Sequence, residues 1–69
     1  MEVEVYASDP FTAKKEALLT SFSSDYRFQK GDELYIHEGE GTPLKVRIID
    51  VRVHVRDGGI ASELLALKL

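Results

Sequence analysis

Hydrophobic and polar positions alternate at the start of the chain: Val3 and Val5 point one way and Glu2, Glu4 and Tyr6 the other. A period of two with β-branched residues predicts a half-buried strand over Met1–Ala7. Ser8-Asp9-Pro10 then reads as a helix start, with Asp9 able to accept from an early backbone amide and Pro10 suited to the first helical position. From Phe11 to Phe22 the spacing turns helical: at about 100° per residue, Phe11, Leu18 and Phe22 share one stripe flanked by Leu19. Lys15 lies in that stripe, its ammonium reaching outward along an apolar stem. Ser23-Ser24-Asp25 ends the helix.

Tyr26-Arg27-Phe28 reads as a short extended piece and Lys30-Gly31-Asp32 as a turn. Glu33–Glu38 is a second strand, Leu34 and Ile36 opposing Tyr35 and His37. A loop rich in glycine follows, through Gly39-Glu40-Gly41-Thr42-Pro43. In Leu44–Arg56, Leu44, Val46 and Ile48 share one face, and Val51, Val53 and Val55 form the next apolar set an odd step away. Both sets reach one interior only if a β-bulge or sharp bend lies near Ile49-Asp50. Asp57-Gly58-Gly59 is a hairpin turn, and Ile60–Leu69 returns as the last strand. The expectation is one α+β domain over residues 1–69, mostly β: a small barrel of five to six strands with one helix after the first strand.

The run from Tyr26 to Leu69 resembles the latter part of a PUA-like barrel, more narrowly the ASCH-type domains. The pieces that carry the resemblance are Phe28, Gly31-Asp32-Glu33-Leu34-Tyr35-Ile36, the long bent strand Leu44–Arg56, Gly58-Gly59 and the apolar Leu64–Leu69. It implies a pseudobarrel of a class that often contacts RNA or modified nucleotides. The Lys-x-x-x-Glu-x-Arg segment of ASCH pockets is absent before Tyr26, so the resemblance speaks to fold more than to activity. An SH3-like barrel is the competing architecture.

With 69 residues, burial is limited: a chain of this size hides only about 60% of the surface that its unfolded form exposes. The absence of cysteine removes disulfides and thiolate metal sites together. No apolar run approaches the roughly 20 residues of a bilayer span, and no basic-then-apolar segment opens the chain. A cytoplasmic protein without membrane contact is expected. The net charge is −3, but residues 1–40 hold four basic and nine acidic side chains and residues 41–69 hold five and three.

That asymmetry singles out the polar side of the long strand. Lys45 and Arg47 precede the bend, and Arg52, His54 and Arg56 follow it at alternate positions. Side chains two apart on a strand lie about 6.5–7 Å apart on one side, a separation comparable with successive phosphates. Arg47, Arg52, His54 and Arg56, with Tyr35 as a stacking surface, are therefore the candidate nucleic-acid-binding residues. The competing reading pairs these bases with Glu2, Glu4 or Glu33 across strands, and the net negative charge favours it.

Two histidines, His37 and His54, without a third ligand do not make a metal site. Asp32, Glu33, Glu38 and Glu40 cluster at turns, where solvent keeps carboxylates ordinary. No phosphate loop, nucleophile elbow or zinc motif is present, so no catalytic residue, metal or cofactor is assigned. Leu64 and Ala66 oppose Leu65 and Leu67, and Ile49 sits at the bend; a strand apolar on both sides needs a cover, from the helix or from another chain. Ile49, Leu64 and Ala66 are thus the candidate protein-interface residues. The leading expectation is a non-enzymatic module that engages a protein partner or a second copy of itself. Binding of single-stranded RNA or DNA is the alternative, and an ASCH-like enzyme acting on nucleoside derivatives a further one.

Overall fold

The computed structural model describes residues 1–12 and 14–69, and among these it is all strand. Five strands run in chain order: β1 Glu2–Ser8, β2 Lys15–Ser23, β3 Glu33–Ile36, β4 Leu44–Arg56 and β5 Gly59–Lys68. They form a single sheet in the order β2-β1-β5-β4-β3, which curls into an open half-barrel. Strands β1 and β5 are parallel, and every other neighbouring pair is antiparallel.

The expected helix, and with it the α+β class, is corrected. The described residues of Phe11–Phe22 contribute a turn and then β2, which pairs with β1 from Glu2↔Ser23 to Ser8↔Lys15. Asp9 does accept from early amides, Phe11 N at 2.7 Å and Thr12 N at 3.3 Å, as a cap would. Its own N–H then donates to Lys14 O at 3.1 Å, closing a loop in place of a helical turn. Phe11, the first residue of the supposed stripe, is 95% exposed. A helix of about twelve residues is marginal unless its apolar face packs. Pairing as β2 instead satisfies the outer backbone edge of β1 and uses the strand preference of Thr20 and Phe22.

The core lies on the inner face, where Val3 and Val5 of β1, Val46 and Ile48 of β4, and Leu64 and Ala66 of β5 are fully buried. Leu19 and Phe22 from β2 and Leu34 and Ile36 from β3 fold over that cluster from the two edges. Phe28, from the connection between β2 and β3, packs there too, edge-on to Phe22 at 5.9 Å and to Tyr26 at 4.8 Å. The connection is tied to β4 by Gly31 N–H to Ile48 O (2.8 Å) and Ile48 N–H to Asp32 O (2.9 Å). Gly31 has φ +98°, a conformation that a side chain would strain.

The long strand contains the expected bulge. Ile48 pairs with Ala66 and Asp50 with Leu65, leaving Ile49 as the extra residue. The sidedness therefore reverses, and Val51, Val53 and Val55 take the inner side. Only Val51 reaches the core; Val53 and Val55 are 58% and 70% exposed, which corrects the expectation that all three line the interior. Strand β3 pairs with β4 only from Leu44 to Arg47, so among the described residues no strand flanks the outer edge of β4 at Val53 and Val55. Strand β5 is apolar on both sides because Leu64 and Ala66 fill the core on the inner face while Leu65 is buried on the outer face, registered between Tyr6 and Asp50.

Candidate functional site

Because Ile49 is inserted, Lys45 and Arg47 before the bulge share the outer face with Arg52, His54 and Arg56 after it. Tyr35 joins them, registered against Lys45 on β3. All five residues named for nucleic acid, Tyr35, Arg47, Arg52, His54 and Arg56, thus stand on one side of the sheet.

Most of that row is engaged by carboxylates. Arg47 Nη2 donates to Glu33 Oε1 at 2.6 Å, and Lys45 Nζ lies 3.5 Å from the other oxygen of Glu33. The hydrogen bond from Arg47, followed by the charge of Lys45, holds the Glu33 carboxyl below the usual carboxylate range. Arg52 Nε donates to Asp50 Oδ2 at 3.1 Å, and its Nη1 lies 3.8 Å from Glu63. Lys45 also sits 5.7 Å from the centre of the Tyr35 ring, over the surface a base would stack on. Among the described residues Arg56 makes no ion pair. The N-terminal glutamates do not neutralise the row; Glu33, Asp50 and Glu63 do.

The centre of the outer face is Glu63, only 8% exposed in the middle strand. Lys15 Nζ reaches it from β2 at 3.1 Å, and His54 Nε2 approaches from β4 at 3.8 Å. Lys15 passes over the Tyr6 ring, 4.6 Å from its centre, and the Tyr6 hydroxyl donates to Glu4 Oε2 at 3.2 Å. Burial foremost, then the Glu4 charge, raises the Tyr6 phenol above its ordinary value. The hydrogen bond to Glu63 raises the Lys15 ammonium. Glu4, Tyr6, Lys15, His54, Arg56 and Glu63 line a shallow groove of about 490 Å³. Tyr6 and Lys15 escaped the sequence reading, because Lys15 stood on a helix there; the alternation of β1 was the only hint for Tyr6.

The charged groups of this network pair with one another. Its carboxylates are taken up by bases on the same face, and His54 Nε2 is buried with no hydrogen-bond partner. No group of three or more His, Cys, Asp or Glu able to hold a metal occurs among the described residues. The turn acids behave locally, with Asp32 Oδ2 accepting from Gln29 N at 2.9 Å. Among the described residues no helix is long and apolar enough to cross a membrane.

The apolar surface lies elsewhere than expected. Leu64 and Ala66 are fully buried core residues and offer nothing to a partner, and Ile49 is half-buried at the bulge. One contiguous exposed apolar set is Val53 and Val55 with Ile60 (53% exposed), which pairs with Val55 across the β4–β5 hairpin. Met1 (40% exposed) joins the same inner-face end, its sulfur accepting from Ser62 Oγ at 3.1 Å. The hairpin is closed tightly, Asp57 and Gly58 both having positive φ (48° and 79°), which matches the twist of the flanking strands. Comparison with family models, curated proteins and solved structures finds no match to this chain.

Proposed function

We propose that the chain is a non-enzymatic binding module that engages another protein through the uncovered inner-face end of the half-barrel. The observation that carries this reading is the exposure of Val53, Val55 and Ile60 side by side on one projecting hairpin. Single exposed apolar residues are ordinary on a protein surface, whereas a contiguous set is a mark of an interaction site. Each square ångström of such surface removed from water is worth about 25 cal/mol.

The nucleic-acid reading draws less support. On the outer face Glu2, Glu4, Glu33, Asp50 and Glu63 stand among Lys15, Lys45, Arg47, Arg52 and Arg56, so the row has no net positive field to attract phosphates. An ASCH-like enzyme would need polar groups free to converge on a substrate, and here they converge on one another.

Immobilised wild-type protein, a Val53→Lys/Val55→Lys variant and an Arg52→Ala/Arg56→Ala variant, each offered the same nuclease-treated extract, test the choice. A protein retained by the wild type and the arginine variant but lost from the valine variant is expected. Equal retention on all three surfaces, or loss only with the arginine variant, overturns the reading.

A further inference from the structure

We infer that the occupant of this end is a second copy of the chain, the two half-barrels covering each other's Val53, Val55 and Ile60. This rests on the reading of that end as a protein-binding surface and names its partner.

The argument begins with area. A compact monomer of 7.8 kDa exposes about 4,400 Å² by the usual scaling of surface with mass. This chain exposes 4918 Å², an excess of about 500 Å² over that scaling. If both copies bury their whole excess, the contact takes up about 1,000 Å², at the threshold for a specific interface and below the roughly 1,200–2,000 Å² of stable complexes. The shape agrees. The radius of gyration is 12.1 Å, where a compact chain of this length has about 11 Å. The extents, 38 × 30 × 19 Å, describe a slab thin enough to be half of a thicker particle.

The composition of the patch then selects a like partner. In a twofold dimer the same surface meets itself, so any unbalanced charge within it would face its own copy. Val53, Val55, Ile60 and Met1 carry no side-chain charge, and apolar surface tolerates its own image. At the hairpin tip Arg56 and Asp57 are adjacent, a base beside an acid, which twofold symmetry can set crosswise. The fully buried apolar core is small, Val3, Val5, Val46, Ile48, Leu64, Leu65 and Ala66, so a shared apolar layer supplies what a chain this short lacks.

Sedimentation velocity from low micromolar to near-millimolar concentration tests the proposal. The mass is expected to rise with concentration from 7.8 kDa toward twice that value. Val55→Glu, placing a charge on each side of the twofold contact, is expected to weaken association more than about tenfold, with an unchanged circular dichroism spectrum. The chain has no cysteine, so Val55→Cys gives a second test: it should form a disulfide dimer under mild oxidation, and Arg27→Cys, on the connection, should not.

A wild type that stays monomeric throughout, or a dimer indifferent to Val55→Glu, overturns the second copy as occupant. If that monomer still retains an extract protein that Val53→Lys/Val55→Lys loses, the protein-binding reading stands without it. If retention is equal as well, both fall.

Discussion

Lys15 and Glu63 meet at 3.1 Å across the whole width of β1, joining the edge strand to the middle of the sheet with Tyr6 lying beneath. Glu63 also faces Arg52 and His54, so one nearly buried carboxylate gathers cations from both flanking sides. The two partners are therefore unequal. Replacing Lys15 by Met leaves Glu63 with Arg52 and His54, whereas Glu63→Leu leaves three bases around an apolar centre. Glu63→Leu should cost about 1–3 kcal/mol. Urea denaturation should give a lower midpoint for Glu63→Leu than for Lys15→Met; the reverse order would mean that the carboxylate is a passenger.

How much of this was legible depended on whether the deciding interaction was local. The reversal at Ile49 could be read because Ile48 and Val51 are an odd step apart and each had to reach the interior. The common side of Arg47 and Arg52 follows from the same step. Strand β2 could not be read in that way. Phe11, Leu18 and Phe22 fit a helical stripe, and what overrode it was the open edge of β1, a partner that no window around residue 18 contains. Lys15 and Glu63 are 48 residues apart, so their pairing has no local trace. Periodicity assigned Val53 and Val55 to the correct side of the sheet but carried no information about whether anything covers them.

Stability should fall at both ends of the pH range for identifiable reasons. Tyr6 and Lys15 bind their protons more tightly folded than unfolded. Their contribution is therefore complete below about pH 10 and is lost as the pH rises through their folded values. Glu33 is shifted the other way, held low by Arg47 and Lys45. Its contribution is present above the ordinary glutamate range, near pH 4.3, and disappears as the pH falls through its folded value. Melting temperature against pH should show Tyr6→Phe flattening the alkaline limb and Glu33→Gln flattening the acid limb. Unchanged limbs in both variants would contradict the assignment.

The bulge predicts that its extra residue can be removed without turning the rest of the strand over. Ile49→Gly keeps the extra residue and hence the sidedness of everything after it. Removing Ile49 leaves Ile48 and Val51 two positions apart, an even step, so a regular ladder keeps Val51 opposite Leu64 on the inner side and Arg52 opposite Glu63 on the outer side. Equilibrium unfolding should find both the deletion and the glycine variant folded at 25 °C. A largely unfolded deletion would show that the bend at Ile49, and not only the sidedness of β4, is needed to close the half-barrel.

Leu64 and Val55 sit on the same side of the sheet but should respond differently to substitution. Leu64 is fully buried among Val3, Val5 and Ile48, so Leu64→Ala removes packed methyl groups and leaves a void, costing about 2–5 kcal/mol at any protein concentration. Val55 is 70% exposed, and Val55→Thr in a dilute solution should change stability by less than about 0.5 kcal/mol. Where two copies associate, the folded state gains stability with concentration by mass action. The wild type and Leu64→Ala should then melt at temperatures that rise with concentration, and Val55→Thr should show a smaller rise. Scanning calorimetry at widely separated concentrations measures both slopes. A wild type whose melting temperature is independent of concentration would locate the stabilising contacts of Val55 wholly within one chain.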